Sequence, residues 1–100
     1  MDSFGNTIKT AREAKGLLLR QVAAALDIDQ AIISKFERSE RRPSKEQVEK
    51  FADFYELDRT ALITAWLSDK IASVLHYEDN IEEILKVAEE KTRYLKNKGR

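Results

Sequence analysis

From Gln30 to Lys45 the chain carries Lys35, Arg38, Arg41, Arg42 and Lys45 against only Glu37 and Glu40, a local excess of +3. Elsewhere the charges offset it, since the whole chain holds 18 basic and 18 acidic residues. Within this stretch Ile33 and Phe36 recur three apart on one helical face, so Gln30, Ser34 and Lys35 point elsewhere. Hydrogen-bonding side chains beside concentrated positive charge suit contact with a polyanion. The acidic run is separate, with Glu78, Asp79, Glu82, Glu83, Glu89 and Glu90 against Lys86. The tail from Lys91 to Arg100 is basic again, with Arg93, Lys96 and Lys98 and no acid. Other chemistries lack their parts. There is no cysteine, and His76 is the one histidine, so neither a metal cluster nor a catalytic triad can be assembled around it. No glycine-rich phosphate loop and no nucleophile–base pair is visible. The expectation is a protein without enzymatic activity, metal or cofactor.

The elements that must hold these residues are short helices. In 19–43, LRQVAAALDIDQAIISKFERSERRP, Val22, Ala23 and Leu26 share one face of a first helix. Asp27-Ile28-Asp29 is too short for a long loop, and Asp29 suits the N-cap of a second helix from Gln30 to Arg38. A helix, a three-residue turn and a helix, with small residues inside and hydrogen-bonding residues outside, is the helix-turn-helix pattern. Before it, a helix is predicted from Ser3 to Lys15, with Phe4, Ile8 and Ala11 inward and Gly16 as its stop. After it, Ser44 and Gln47 form a capping box that opens a fourth helix with Val48, Phe51, Ala52 and Tyr55 inward. Asp58 caps a fifth, roughly 59–76, and a sixth amphipathic helix follows from about Asp79 to Lys96.

A chain of 100 residues, 42% apolar and 36% charged, with one proline and three glycines, reads as one helical globular unit. The opening MDSFGNTIKT lacks a basic-then-apolar signal pattern, and no run approaches a membrane span, so a cytoplasmic protein is expected.

Residues 8–58 resemble the helix-turn-helix domain of the Cro/C1-type (XRE) regulators, which include lambdoid phage repressors and restriction–modification controller proteins. The resemblance is carried by Arg12, Gly16-Leu17, Val22-Ala23, Ile28, Ile33-Ser34, Phe36-Glu37, Arg42-Pro43-Ser44 and Phe51-Ala52. It implies an all-α fold, a lambda-repressor-like five-helix DNA-binding domain whose third helix enters the major groove; the sixth helix lies outside the family pattern. It also implies a salt bridge between Arg12 and Glu37. Carried over by alignment, the base-reading positions are Gln30, Ala31 and Lys35, with Ser34 beside them. Gln suits adenine, Lys guanine, and Ala a thymine methyl. The family's cap and following Gln at the start of helix 2 are replaced by Leu18 and Leu19. The phosphate contact there must pass to Arg20, Gln21 or backbone N–H groups. Arg38, Arg41 and Arg42 are the remaining phosphate candidates, and Arg38-Ser39 stands where relatives have the Asn-Gly of a left-handed turn.

Leu62, Ile63, Trp66, Leu67, Ile71, Val74 and Leu75 give helix 5 more apolar surface than one small domain needs. A dimer seam through Leu62, Ile63, Trp66, Leu67 and Ile71 is therefore expected, although Trp66 also suits a core. The chain divides into residues 1–76, the DNA-binding domain with its helix-turn-helix at 19–38, and 77–100, a helix and basic tail that extend the dimer. The expected function is a homodimeric, sequence-specific regulator of transcription on a palindromic operator in double-stranded DNA. The alternative is an antitoxin or adaptor of the same fold, whose main partner is a protein such as a toxin or another regulator.

Overall fold

The computed structural model describes residues 2–99. Its helices are α1 (Phe4–Ala14), α2 (Leu19–Leu26), α3 (Gln30–Glu37), α4 (Lys45–Phe54), α5 (Arg59–Leu75) and α6 (Ile81–Lys98), with no strand among the described residues. Four begin at a side chain that satisfies an otherwise orphaned N–H. Ser3 Oγ accepts from Asn6 N–H at 3.0 Å, and Asp58 Oδ2 from Ala61 N–H at 3.0 Å. Asp29 caps α3. Ser44 and Gln47 exchange reciprocal bonds of 3.2 and 3.0 Å at the start of α4. α2 and α6 begin at Leu18 and Asn80 without a side-chain cap of that kind.

The first four helices end in one way. A residue with positive φ follows the last turn: Gly16 (67°), Asp27 (54°), Ser39 (59°) and Glu56 (57°). The next N–H then reaches back five residues, from Leu17 to Arg12 O, Ile28 to Ala23 O, Glu40 to Lys35 O and Leu57 to Ala52 O. This satisfies a terminal carbonyl and turns the chain inward. Three of these closures deliver an apolar residue to the core, namely Leu17, Ile28 and Leu57. Only one uses glycine, so the other three carry the strain of a left-handed side-chain-bearing residue.

Phe4, Ile8, Val22, Ile33, Phe36, Val48, Phe51, Ala52, Tyr55, Leu62 and Trp66 make the core. Phe51 is central, edge-on to Phe4 and Phe36 at 5.8 and 6.1 Å and stacked on Tyr55 at 6.2 Å. α1 meets the end of α3 so closely that a Cβ on Gly5 would fall 2.4 Å from Phe36 O. Two polar bonds tie in α5: Trp66 Nε1–H donates to Pro43 O at 3.0 Å, and Phe4 N–H donates to Asp69 Oδ2 at 2.9 Å.

This packing corrects the expected dimer seam. Leu62 and Trp66 are 3% and 8% exposed and belong to the chain's own core, and Ile63 is half-buried against it. They cannot cover a second copy without unfolding the first. Leu67 and Ile71 do face outward, joined by Val74. α6 buries none of its residues. It stands off the domain, and the radius of gyration, 15.8 Å, exceeds the roughly 13 Å expected of a compact 100-residue chain.

Candidate nucleic-acid interface

Each residue of the turn between α2 and α3 has a separate task. Asp27 supplies the left-handed bend. Ile28 is buried as the plug beneath it. Asp29 Oδ1 accepts from Ala31 N–H at 2.8 Å and from Ile32 N–H at 3.3 Å, fixing the first turn of α3. Downstream, Ile33, Phe36 and Glu37 point into the domain. Gln30, Ala31 and Lys35 are exposed, Ser34 is half-buried, and Ile32 is half-buried against the core. Among the described residues the side chains of Gln30 and Lys35 make no hydrogen bond, so their donors and acceptors face solvent on a helix fixed at both ends.

The far end of α3 is fixed by an ion pair. Arg12 Nε–H and Nη2–H donate to Glu37 Oε2 and Oε1 at 2.8 and 3.0 Å, and Arg12 Nη1–H donates to Leu17 O at 2.9 Å. The side chains are 14% and 5% exposed. Donating to the Glu37 carboxylate holds the Arg12 guanidinium more firmly protonated than usual, against the opposing effect of burial. Beside the pair lies the Tyr55 hydroxyl, buried and without a partner among the described residues. Burial first, and the Glu37 charge second, push its pKa up to about 12.

The expected phosphate-contacting residues fall into three places. Arg20 and Gln21 are exposed on the first turn of α2. Gln21 has a second task that the sequence pattern did not reveal, because its Oε1 accepts Leu18 N–H at 2.7 Å and supplies half of a capping box. Its side-chain amide N–H groups make no hydrogen bond among the described residues. Leu17 and Leu19 pack on the core, leaving Leu18 exposed at 49%. Arg38 lies next to the reading face, where it donates to Ser34 Oγ and to Glu40. Its hydrogen bond holds the Glu40 carboxyl below the usual carboxylate range. Ser34 is thereby engaged, whereas Gln30 and Lys35 are not. Arg41 and Arg42 line a hollow of about 240 Å³ with Ser39, Phe4, Trp66 and Asp69. Arg42 also borders Lys70 and Ile71, on the side of the molecule where α5 meets α6. The glycine in α1 and the carboxylate of Asp69 were not singled out from sequence. Gly5 had a visible signal, a glycine inside a helix, and Asp69 had none.

No helix among the described residues is long and apolar enough to cross a membrane, and no group of three or more His, Cys, Asp or Glu there is placed to hold a metal ion. Comparison with known proteins agrees with this geometry. Among the curated proteins none matches. Among solved structures, the fold is similar to a chain of the SinR protein/SinI protein complex, with a TM-score of 0.55 and 19% identity over 91% of this chain and 97% of that one. The family model described as a helix-turn-helix domain matches residues 3–63, which run from the cap of α1 into α5 and contain the whole α2–turn–α3 unit. The chain therefore belongs to the helix-turn-helix domain family.

Proposed function

We propose that this chain is a sequence-specific transcriptional regulator that binds double-stranded DNA as a homodimer on a palindromic operator, and that it does so without catalysis. The observation that supports this best is the outward face of α3. Gln30, Ala31 and Lys35 are exposed and unengaged on a helix held by Asp29 at one end and by Arg12–Glu37 at the other. A rigid helix presenting one amide, one methyl and one ammonium matches what base edges in the major groove offer. Arg20, Gln21, Arg38 and Arg41 flank it as phosphate contacts, which set register and specify no sequence. Arg42, turned toward α5, contributes least.

The test is selection of bound fragments from a random duplex pool at near-physiological salt, with wild type and Gln30→Ala/Lys35→Ala in parallel. The expected result is a palindromic motif, with half-sites about 10 base pairs apart, that the variant does not enrich. If folded wild type enriches nothing, the reading is wrong.

A second reading is favoured by the exposed apolar surface of α5 and α6 and by the structural neighbour's being a complex of two different proteins. In it the chain is chiefly a protein-binding module, an antitoxin or adaptor. A stable hetero-complex purified from the native host, together with an empty selection, would favour it.

A further inference from the structure

α5 and α6 meet as two sides of an open trough. Its lining includes Ile71, Val74 and Leu75 from α5 and Ile81, Ile84 and Leu85 from α6, with Ala88 beyond. Most of these side chains are exposed in the single chain. α6 has 18 residues and buries none of them. An isolated helix of that length is marginal in water, because most helical stability in proteins comes from packing an apolar face. Such a face on α6 exists: at 100° per residue Ile81, Ile84, Leu85, Ala88, Thr92 and Leu95 form one stripe. Nothing else among the described residues covers it.

The charge along α6 says what does. Ile81–Glu90 holds Glu82, Glu83, Glu89 and Glu90 against Lys86, while Lys91–Lys98 holds Lys91, Arg93, Lys96 and Lys98 and no acid. Among the described residues the ion pair within α6 is Arg93–Glu89, one turn apart and exposed, so Glu82 and Lys96 are left without one. Such a helix is complementary to its own reverse. Two copies side by side in parallel set acid against acid and base against base; two copies antiparallel set each acidic half against a basic half. With Ala88 opposite Ala88, the pairing brings Ile81 opposite Leu95 and Ile84 opposite Thr92. It also puts Glu82 at the edge of the seam beside Lys96 of the other copy. Charges in such flanking positions decide orientation and partner choice.

We propose that the trough between α5 and α6 is the homodimer seam, occupied by α6 of a second copy running antiparallel, with the acidic half of each α6 on the basic half of the other. This rests on the homodimer of the preceding reading and gives it an interface and an orientation. The contact is isologous, as a two-fold axis through Ala88 requires. It uses Ile71 from the seam expected on α5 and replaces Leu62, Ile63 and Trp66 with α6.

The chain has no cysteine of its own, which permits a directional test on the full-length free protein. Chains carrying Glu82→Cys and chains carrying Lys96→Cys are oxidised mildly, separately and mixed. Antiparallel pairing gives a cross-linked dimer only in the mixture. Cross-linking of either chain alone means a parallel seam, and no cross-linking in a mixture means that α6 does not pair as described; either overturns the proposal. Both positions are exposed, so the domain folds regardless. As a second measurement, Lys91→Glu/Arg93→Glu/Lys96→Glu should weaken self-association in sedimentation by at least about tenfold. Mixing with Glu82→Lys/Glu89→Lys/Glu90→Lys should restore a dimer. Unchanged association of the first variant counts against the seam. Failure here remains distinct from failure of the DNA reading. A palindromic motif selected by protein lacking the cross-link places the dimer elsewhere, whereas the cross-link with no selected motif leaves the seam and removes the DNA reading.

Discussion

Arg12 on α1 and Glu37 at the end of α3 meet through two hydrogen bonds of 2.8 and 3.0 Å, with only 5% of the glutamate side chain exposed. The pair is the polar link between the first helix and the helix proposed to read bases. Breaking a buried pair from one side is costly because it leaves the other charge unpaired, about 3–5 kcal/mol, whereas an apolar pair of similar volume is often neutral. Arg12→Ala should therefore lower stability by about 3 kcal/mol in urea unfolding. Arg12→Met/Glu37→Leu should recover most of that. If the double variant is as unstable as the single one, the contribution of Arg12 lies in its bond to Leu17 O instead.

The glycines separate two kinds of constraint. Gly16 has φ 67° and no atom within 4 Å of the place an alanine methyl would take, so Gly16→Ala meets only backbone strain, about 1–2 kcal/mol. Gly5 has ordinary helical φ, but an added Cβ would lie 2.4 Å from Phe36 O and 2.8 Å from Glu37 O. Gly5→Ala must push α1 away from α3 and should cost more than Gly16→Ala. Conversely, Glu56 has φ 57° and one long exposed contact with Lys15 at 3.7 Å. Glu56→Gly relieves the left-handed strain and should raise stability, by up to about 1 kcal/mol. Thermal unfolding of the three variants orders them.

Asp53 and Arg59 join α4 to α5 at 2.6 and 2.9 Å. The hydrogen bond from Arg59 holds the Asp53 carboxyl below the usual carboxylate range, against a smaller desolvation effect. A carboxylate so depressed stabilises the fold above its unfolded pKa, and the contribution disappears as pH falls through the lowered folded value. Arg59→Ala should move the Asp53 titration, followed by NMR, back up toward that of an ordinary aspartate. Both groups are exposed, so neutral-pH stability should hardly change.

On a selected operator, the two classes of contact should separate by salt. Arg41→Ala, if it removes one phosphate contact, should weaken binding alike on cognate and random DNA and lower the slope of log K against log salt by about 1. Gln30→Ala should cost about 1–3 kcal/mol on the cognate site alone and leave that slope unchanged. Equal weakening by Gln30→Ala on random duplex would remove it from the base-reading set.

Much of this structure was legible in the chain, for reasons that differ by element. Asp29, Ser44 and Asp58 are short acceptors placed before apolar periodic runs, and local hydrogen bonding alone dictates what such residues do. The turn at Asp27-Ile28-Asp29 was visible from its length, and the meeting of Arg12 with Glu37 from the family resemblance. Periodicity, however, states that a face is apolar and not what covers it. Leu62 and Trp66 therefore read as seam, although Trp66 also suits a core, and the packing of α5 against Phe4 and Pro43 puts both in the core. The left-handed bends at Asp27 and Glu56 carried no glycine signal. Gln21 looked like a surface amide because its role depends on the missing cap three residues earlier.

That missing cap yields the last prediction. Leu18 occupies the N-cap of α2 with extended backbone (φ −89°, ψ 155°), the conformation a capping serine adopts. Its side chain is half exposed, and it donates its own N–H to Gln21 Oε1 at 2.7 Å. Leu18→Ser keeps that bond and adds the reciprocal one, from Gln21 N–H to the serine hydroxyl, completing the box that Ser44 and Gln47 already form on α4. Replacing a non-capping residue by serine at this position is worth about 1 kcal/mol, and little apolar burial is lost. Leu18→Ser should therefore stabilise the free protein. Leu19→Ala should destabilise it, because Leu19 packs on the core. A Leu18→Ser protein no more stable than wild type would mean that this leucine is covered in solution, and the surface at the start of α2 would then need a partner of its own.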